Sequence, residues 1–346
     1  MVLTFRYRVK NPGNLPALAR IVNLVWNYCG DVQNQARRWA KRWPAAFDLM
    51  QLTRASRELG LHSDAIAAVC LQFSRSRDKS KQRPRWRKSS GAKRSLGWVP
   101  FNAPRAIKLD GNAVIFQKQR YRLWLHRPVA GEILCGSFAE DARGRWYLNL
   151  QCELEPDREC GTGAIGIDLG LKTLATFSDG TKIERERITA RYADRLAVAQ
   201  RAGRTQRVRA IQTKIKNVRK DFLHRLSHAL VTKYQRIVVG NVNSAGLAKT
   251  RLAKSVLDVG WSMLRGFLAY KAIRHRATYE QRDERWSTQR CSECGSLGGP
   301  KGIAALGVRE WVCLNCGVLH DRDTNAASNL LSGWNVSLQL TESPVP

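Results

Sequence analysis

Asp168 is the single carboxylate in the run GAIGIDLG, residues 163–170. Ala164, Ile165 and Ile167 have the character of a buried strand, Gly170 permits a tight turn, and Leu174 to Phe177 read as a second strand returning beside the first. Asp168 is thus predicted at a strand end beside a hairpin. A carboxylate there offers oxygen to a hard divalent cation, and open sheets bind ligands outside the carboxyl ends of their strands. An aspartate in that place also serves as a turn former through a local hydrogen bond, so Asp168 alone leaves both roles open. The cysteines near the C-terminus are more specific. Cys291-x2-Cys294 and Cys313-x2-Cys316, eighteen residues apart, supply four thiolates at the spacing of a tetrahedral zinc site. Four thiolates leave no open coordination position, so such a zinc holds the fold, contributing on the order of 10 kcal/mol, and does no chemistry of its own. Immediately after it, HDRDTNAASNLL crowds His320, Asp321, Arg322 and Asp323 at a helix start, with Asp323 expected as the N-cap before Ala326, Ala327, Leu330 and Leu331. Capping explains one aspartate and leaves the rest of the crowd unexplained.

Composition bounds what these residues can serve. A chain of 346 residues is long enough for two or three domains. Lys and Arg outnumber Asp and Glu by 59 to 28, a formal charge of +31, which points to a polyanion partner ahead of an anionic membrane. No apolar stretch approaches the roughly 20 residues that span a bilayer, and the start MVLTFRYRVK lacks a secretory apolar region, so a cytoplasmic, nucleoid-associated bacterial protein is expected, with the monomer favoured. Five of the nine cysteines (Cys29, Cys70, Cys135, Cys152, Cys160) are scattered, which argues against a disulfide framework.

The elements that must position the site can be read in order. Leu3, Phe5, Tyr7 and Val9 alternate with polar residues as in a half-buried strand. Helical spacing follows from Leu15 to about Trp43 and again from Ser63 to Phe73. Arg37, Arg38, Lys41 and Arg42, interleaved with Trp39 and Trp43, have the chemistry to grip phosphates and stack on bases, and equally that of a solvated face over a small core. Residues 75–95 form a dense positive loop or linker. Lys81, Arg83, Arg85, Trp86, Arg87 and Lys88 repel one another there unless a nucleic acid lies against them. Short alternating strands from Ala106 to Glu155 suggest a small β-barrel closed by the N-terminal strand, with the helices inserted into it. Beyond Asp168 come a long basic helical region from Glu184 to Tyr234, broken near Gly203, a buried strand Arg236 to Gly240, a helix Lys254 to Ile273 and a strand Ala277 to Asp283. Ile211, Ile215, Val218, Phe222 and Leu226 form the stripe expected to pack on the sheet. The order of elements is that of an α/β unit around a mixed sheet.

GIDLGLKTLATFSDG, RKDFLHRLS, CSECG, CLNCG and HDRDTNAASNLL, in this order, resemble the nuclease half of the transposon-encoded TnpB family, ancestors of the type V CRISPR effectors. RPRWRK, IKLDGNAVIF and HRPVAGEI resemble its N-terminal half. The resemblance reaches to about Leu331. It implies an α/β RNase H-like (RuvC) nuclease domain at 159–290 and 317–332, a zinc ribbon at 291–316, an N-terminal β-barrel wedge domain at 1–12 and 96–158, a helical recognition insertion at 13–95 and a disordered tail at 333–346. It further implies a guide RNA from the transposon end, double-stranded target DNA, and a three-carboxylate site for two magnesium ions in which Asp168 and Asp323 are the first and last members. One ion would activate water and the other stabilise the leaving oxygen of a phosphodiester.

The family's strand matching Arg236 to Gly240 ends in Glu-Asp, whereas here the positions are Gly240 and Asn241, and neither replaces a carboxylate. In an RNase H-like sheet this strand neighbours Ala277 to Asp283 at a spacing of about 5 Å, so Glu284 is expected to supply the missing group, as in TnpB subgroups with a relocated glutamate. Glu280 has the right parity but lies about 13 Å deeper, and Asp283 points to the other face. Two functions follow from the resemblance: an RNA-guided DNA endonuclease, or an RNA-guided DNA-binding protein that has lost cleavage and acts as a repressor. A transposase accessory without a guide is weaker, because no base-reading helix is apparent.

Overall fold

The computed structural model describes the chain except residues 40–41, 54–59, 103–104, 243–258, 302–303 and 334–346. Lys41, the start of the helix expected from Lys254, and the tail beyond Gly333 lie outside the described residues. The chain divides into two compact units, Met1–Glu155 and Pro156–Pro346. Among the described residues no helix is long and apolar enough to cross a membrane.

In the first unit, strand β1 (Val2–Val9) turns Phe5, Tyr7 and Val9 inward and Thr4, Arg6 and Arg8 outward, as its alternation requires. It is followed by helices α1 (Leu15–Trp39), α2 (Ala46–Leu52) and α3 (Ser63–Ser80) and by strands β2 (Trp98–Asn102), β3 (Ile107–Asp110), β4 (Ala113–Phe116), β5 (Gln119–Trp124), β6 (Glu132–Glu140) and β7 (Trp146–Glu153). The seven strands form one antiparallel sheet in the order β2-β6-β7-β1-β5-β4-β3. Phe101 of β2 and Phe116 of β4 belong to opposite ends of that order, yet their rings lie 5.6 Å apart, with Phe138 within 5.8 Å of both. The sheet is therefore curled around its aromatic core. No ladder joins β2 to β3 among the described residues, so it is curled rather than closed by backbone bonds.

The helices pack as one layer through Leu18, Val22, Val25 and Cys29 of α1 and Ile66, Val69 and Phe73 of α3. Trp26 stands edge-on to Phe73 at 5.2 Å and to Trp98 at 6.1 Å. The positive run expected as a loop over 75–95 is helical through Ser80, and Arg77 is buried, donating to Pro44 O at 2.7 Å. The remainder is strapped to α1 by its backbone: Trp26 Nε1 donates to Arg85 O at 3.0 Å, and Asn27 both donates to Arg87 O and accepts from Arg87 N–H. Repulsion within this run is thus opposed by the protein itself, and Arg94 forks onto Glu140 at 2.6 and 2.7 Å.

The second unit is built on a five-stranded mixed sheet in the order β10-β9-β8-β11-β12, from β8 (Ala164–Leu169), β9 (Thr173–Phe177), β10 (Lys182–Glu184), β11 (Arg236–Gly240) and β12 (Thr278–Arg282). The last two are parallel to each other, β11 is parallel to β8, and β8 to β10 are antiparallel hairpins. Among the described residues its α-helices are α4 (Ile188–Arg191), α5 (Ala193–Arg201), α6 (Thr205–Lys233), α7 (Trp261–Arg274) and α8 (Arg322–Ser332). Ile165, Ile167 and Leu169 of β8 share a core with Leu223, Leu230 and Val231 of α6 and Leu264 and Leu268 of α7. Strand alternation turns Gly166 and Asp168 to the other face, where α8 lies so close that a Cβ at Gly166 would stand 2.0 Å from Ala327 O. The stripe expected to pack α6 on the sheet does so in its second half, where Phe222 and Leu226 pack, partly buried, against the sheet core. Ile211 and Ile215 instead form a small core with Ile188 and Ala199 of the preceding helices.

Arg87 is the hub of the strapped segment. Its Nε donates to Asn23 Oδ1 at 2.6 Å, one terminal nitrogen donates to Leu96 O at 2.7 Å, and the guanidinium lies 5.9 and 5.5 Å from the Trp26 and Trp98 rings. Arg87→Met should therefore lower stability by about 1–3 kcal/mol through acceptors left unpaired, whereas Lys81→Ala and Lys88→Ala, both exposed, should stay within about 0.5 kcal/mol of wild type. Urea unfolding of the three variants checks this.

Candidate functional site: a carboxylate cluster beside a four-cysteine centre

Asp168 is the next-to-last residue of β8, paired with Thr176 across the hairpin. Facing it is the start of α8, reached through the hairpin β13 (Glu310–Val312) and β14 (Leu319–Asp321). The N-cap is Asp321 rather than the expected Asp323: its Oδ1 accepts from Thr324 N–H at 2.9 Å and from the Thr324 hydroxyl at 3.0 Å, and its Oδ2 binds Lys182 at 2.7 Å. One residue type two positions earlier satisfies the same orphan donors. Asp323 sits in the first helical turn and is spared that duty. Its carboxylate pairs with Arg309 at 3.2 Å and raises the pKa of Asp168. Burial is the larger cause of that shift, which brings Asp168 to about 7.

Glu284 lies two residues beyond the end of β12, whose last residue Arg282 stands opposite Gly240 of β11. A Cβ built on Gly240 would fall 1.9 Å from Glu284 Oε1 and 2.7 Å from its Cγ. The glutamate side chain thus fills the room that any side chain at position 240 would need. Burial and then the charge of Asp168 push Glu284 up to about 8, partly offset by the Val242 N–H bound to its carboxylate and by Arg265. Among the described residues Glu284 Oε1 is buried without a hydrogen-bond partner. The structure thus brings Asp168, Glu284 and Asp323 into one electrostatic cluster. Glu280 is occupied elsewhere: it accepts from Arg236 at 2.8 Å and from Arg282 at 2.8 Å, and Arg282 also donates to Leu330 O at 2.8 Å at the end of α8. Asp283 pairs with Arg285 at 2.7 Å.

The four cysteine sulfurs lie within 4.8 Å of one another, with Cys291–Cys316 and Cys294–Cys313 each at 3.6 Å. Four sulfurs about 2.3 Å from a tetrahedral centre stand roughly 3.8 Å apart, so the group has the dimensions to hold one zinc. Its first knuckle is clamped to α8 by two residues that sequence reasoning passed over. Asn325 Nδ2 donates to Arg290 O at 2.8 Å while its Oδ1 accepts from Ser292 N–H at 2.9 Å, and Asn329 Nδ2 donates to Ser287 O at 2.8 Å and Arg290 O at 2.6 Å. Their four-residue separation on a helix was the available signal. Arg309 was passed over too, lying between the knuckles without a motif.

The residues singled out for nucleic-acid contact divide. Arg37, Arg38 and Arg42 are exposed beside Trp39, itself 87% exposed, and Lys81, Arg85 and Lys88 are exposed beside Trp86. Arg83 reaches Asp31 at 3.5 Å, and Arg87 is spent inside the unit as described above.

A buried, oxygen-only cluster of this kind on a mixed sheet, held beside a four-thiolate centre, has the chemistry of a divalent-metal site braced by a structural metal. Residues 149–251 match the family model described as a probable transposase, and residues 261–330 match the Cas12f1-like TNB domain. A Streptomyces pristinaespiralis protein bearing the name RNA-guided DNA endonuclease is 36% identical over 222 residues, covering 59% of this chain and 54% of that protein. Escherichia coli K12 InsQ, of the same designation, is 28% identical over 277 residues, 70% of this chain and 67% of its own. The CRISPR-associated endodeoxyribonuclease Cas12f1 of Sulfoacidibacillus thermotolerans is 28% identical over 253 residues, 65% of this chain and 59% of its own. The chain spans about half the length of the Streptomyces protein. The resemblance read from the motifs is borne out: the chain is similar to a probable transposase and to proteins named RNA-guided DNA endonuclease and Cas12f1, and its residues 261–330 match a Cas12f1-like TNB domain.

The raised carboxylates have a consequence for stability. Both pKa values lie above the unfolded value of about 4, so the folded state binds more protons, and stability falls as pH rises from about 4 towards 7 for Asp168 and 8 for Glu284. In zinc-loaded protein without magnesium, Asp168→Asn should gain on wild type progressively between pH 4 and 7 and then level off; urea midpoints over that range measure it.

Proposed function

We propose that this chain is an RNA-guided DNA endonuclease of a transposable element, cleaving target DNA by hydrolysis at Asp168, Glu284 and Asp323. The observation that carries this reading is the fit of Glu284 into the room left by Gly240. An occupancy protein has no use for a third carboxylate pressed against two others at such electrostatic cost, so the cleaving enzyme is preferred to the repressor. The names borne by the relatives support the guided DNA chemistry.

In this reading residues 159–290 and 317–332 are the RuvC-like nuclease domain, 291–316 the zinc ribbon, 1–12 and 96–158 the wedge, and 13–95 the recognition insertion with its basic linker. The exposed residues Arg37, Arg38, Arg42, Lys81, Arg85, Trp86 and Lys88 face the guide RNA and target DNA, and Arg83 exchanges its weak pair with Asp31 for phosphate. Such contacts make binding steeply salt-dependent.

The carboxylate donor set suits two magnesium ions: oxygen ligands only, one of them a buried Glu284 oxygen that has no partner among the described residues. When bound, the pair would activate water and stabilise the leaving oxygen of the phosphodiester. The chain's own residues set the conditions. Asp168 and Glu284 must both release protons before they ligate, so affinity for magnesium rises with pH to about 8. Asp323 would hold metal in place of its pair with Arg309, whose guanidinium would then be available to a phosphate. Lys182 and Thr324 hold Asp321, keeping the helix start fixed while this exchange takes place.

The test is guided cleavage with the transposon-end RNA over a library of target-flanking sequences. Asp168→Ala and Glu284→Ala should lose cleavage at least a hundredfold while retaining guided binding. Gly240→Ala should do the same, because its methyl displaces the Glu284 carboxylate, and moving the carboxylate back (Gly240→Glu with Glu284→Gly) should recover part of the rate. Glu280→Ala should lower the unfolding midpoint yet still cut. Wild-type cutting by Glu284→Ala alongside a dead Asp168→Ala would sink the assignment of Glu284; a wild type that binds and never cuts would hand the function to the repressor.

A further inference from the structure

His320 lies at the middle of β14, opposite Trp311 of β13, with the two rings 4.8 Å apart. It is 6% exposed, and its Nε2 stands 2.9 Å from Cys291 Sγ. Its chain neighbour is Asp321, the N-cap of α8, and Asp323 follows two residues later. His320 therefore touches the four-cysteine centre with its side chain while its backbone continues directly into the carboxylate cluster. A cysteine that ligates zinc is a thiolate, an acceptor without a proton, so the only favourable partner at this distance is an N–H. The ring packs against Trp311 at a tilt of 34° and presents Nε2 to the sulfur.

We propose that His320 is a positioning residue: it donates its Nε2–H to the Cys291 thiolate of the zinc-loaded centre and so fastens β14, and with it the start of α8, to the metal. The proposal rests on the reading of the four cysteines as a zinc site and is independent of whether the protein cleaves DNA. The asparagine clamps tie α8 to the backbone of the first knuckle. They do so whatever the state of the sulfurs. His320 is the contact that senses the sulfur itself, because the strength of an N–H···S bond depends on the charge that zinc ligation fixes there. Zinc loading then stiffens the segment bearing Asp321 and Asp323, and an emptied centre loosens it.

The experiment uses the full chain, loaded with Zn2+ or with Co2+ as a coloured substitute, and three variants: His320→Phe, which keeps a ring against Trp311 but has no donor, His320→Gln, whose amide restores an N–H near the Nε2 position, and Asn325→Ala as a clamp control. For His320→Phe the zinc affinity, measured by chelator competition, should fall about 10- to 100-fold. Its sulfur-to-cobalt charge-transfer band should move to lower energy, as a thiolate relieved of a hydrogen bond donates more readily. His320→Gln should recover most of both, and Asn325→Ala should leave the band in place. Hydrogen exchange at residues 320–325 should slow on zinc loading in wild type and in His320→Gln, and not in His320→Phe. A His320→Phe protein that is folded by circular dichroism and binds zinc with wild-type affinity and an unshifted cobalt band would overturn the proposal. So would a wild-type cobalt spectrum with the intensity of three thiolates, which would make His320 a ligand.

Discussion

Gly240 has no side chain, and the carboxylate of Glu284 lies in the room this leaves. The exclusion is steric and acts in both directions: a glutamate from the neighbouring strand end can enter only because position 240 is vacant beyond Cα. Because β11 and β12 are parallel and in register, with Gly240 opposite Arg282, the chain need run only two residues past the strand to bring a long side chain back across one strand spacing. A carboxylate from the end of β12 thus occupies the place that a side chain at position 240 of β11 would need.

Three carboxylates drawn together without a cation repel one another, and the raised values of Asp168 and Glu284 measure that repulsion together with burial. A fold holds such a cluster only if other interactions fix the elements that carry it. Arg282 bonds the last carbonyls of α8 while sharing Glu280 with Arg236, so one ion-pair network joins β11, β12 and α8. Glycine at 166 lets α8 approach β8 closely enough for its first turn to reach Asp168. Glu280 is thereby explained as a support for the strand end that carries Glu284.

Much of this was legible because it is periodic or spaced. The alternation of Leu3 to Val9, the hairpin after Asp168 and the two C-x2-C knuckles each carry their own signal. What the sequence could not resolve is local competition between equivalent groups. Asp321 and Asp323 are both good N-caps, and only the register of the helix start, set by strand pairing of β14 with β13, decides that Asp321 serves and Asp323 is spared. The stripe on α6 was met in its second half only, for a related reason: Phe222 and Leu226 pack against the sheet core, but Ile211 and Ile215 had a nearer partner in the short helices just before them, and periodicity names a face without naming what covers it. In the basic run, composition suggested a segment awaiting a polyanion, yet backbone bonds from Trp26 and Asn27 hold it, and Arg87 is consumed in doing so. Charge counts do not distinguish guanidiniums that face outward from those that brace.

The separation of the two metal chemistries follows from the same constraint. Thiolates suit zinc and leave no open position, whereas the carboxylates offer hard oxygen and exchangeable sites. Placing them on one continuous segment, from Cys316 through His320 to Asp323, makes a rigid soft-metal centre the anchor for a cluster that must itself stay adaptable. The carboxylates cannot supply their own rigidity, since ionising them together without a cation sets like charges against one another. Asp323 waits on Arg309, a residue from the same inter-knuckle insert, so the insert supplies both the anchor for the helix start and the counter-charge that holds its carboxylate before metal binds. An insert with either part missing would leave Asp323 either unsupported or unpaired, which is a physical reason for the four-cysteine group and the carboxylates to occur in one module.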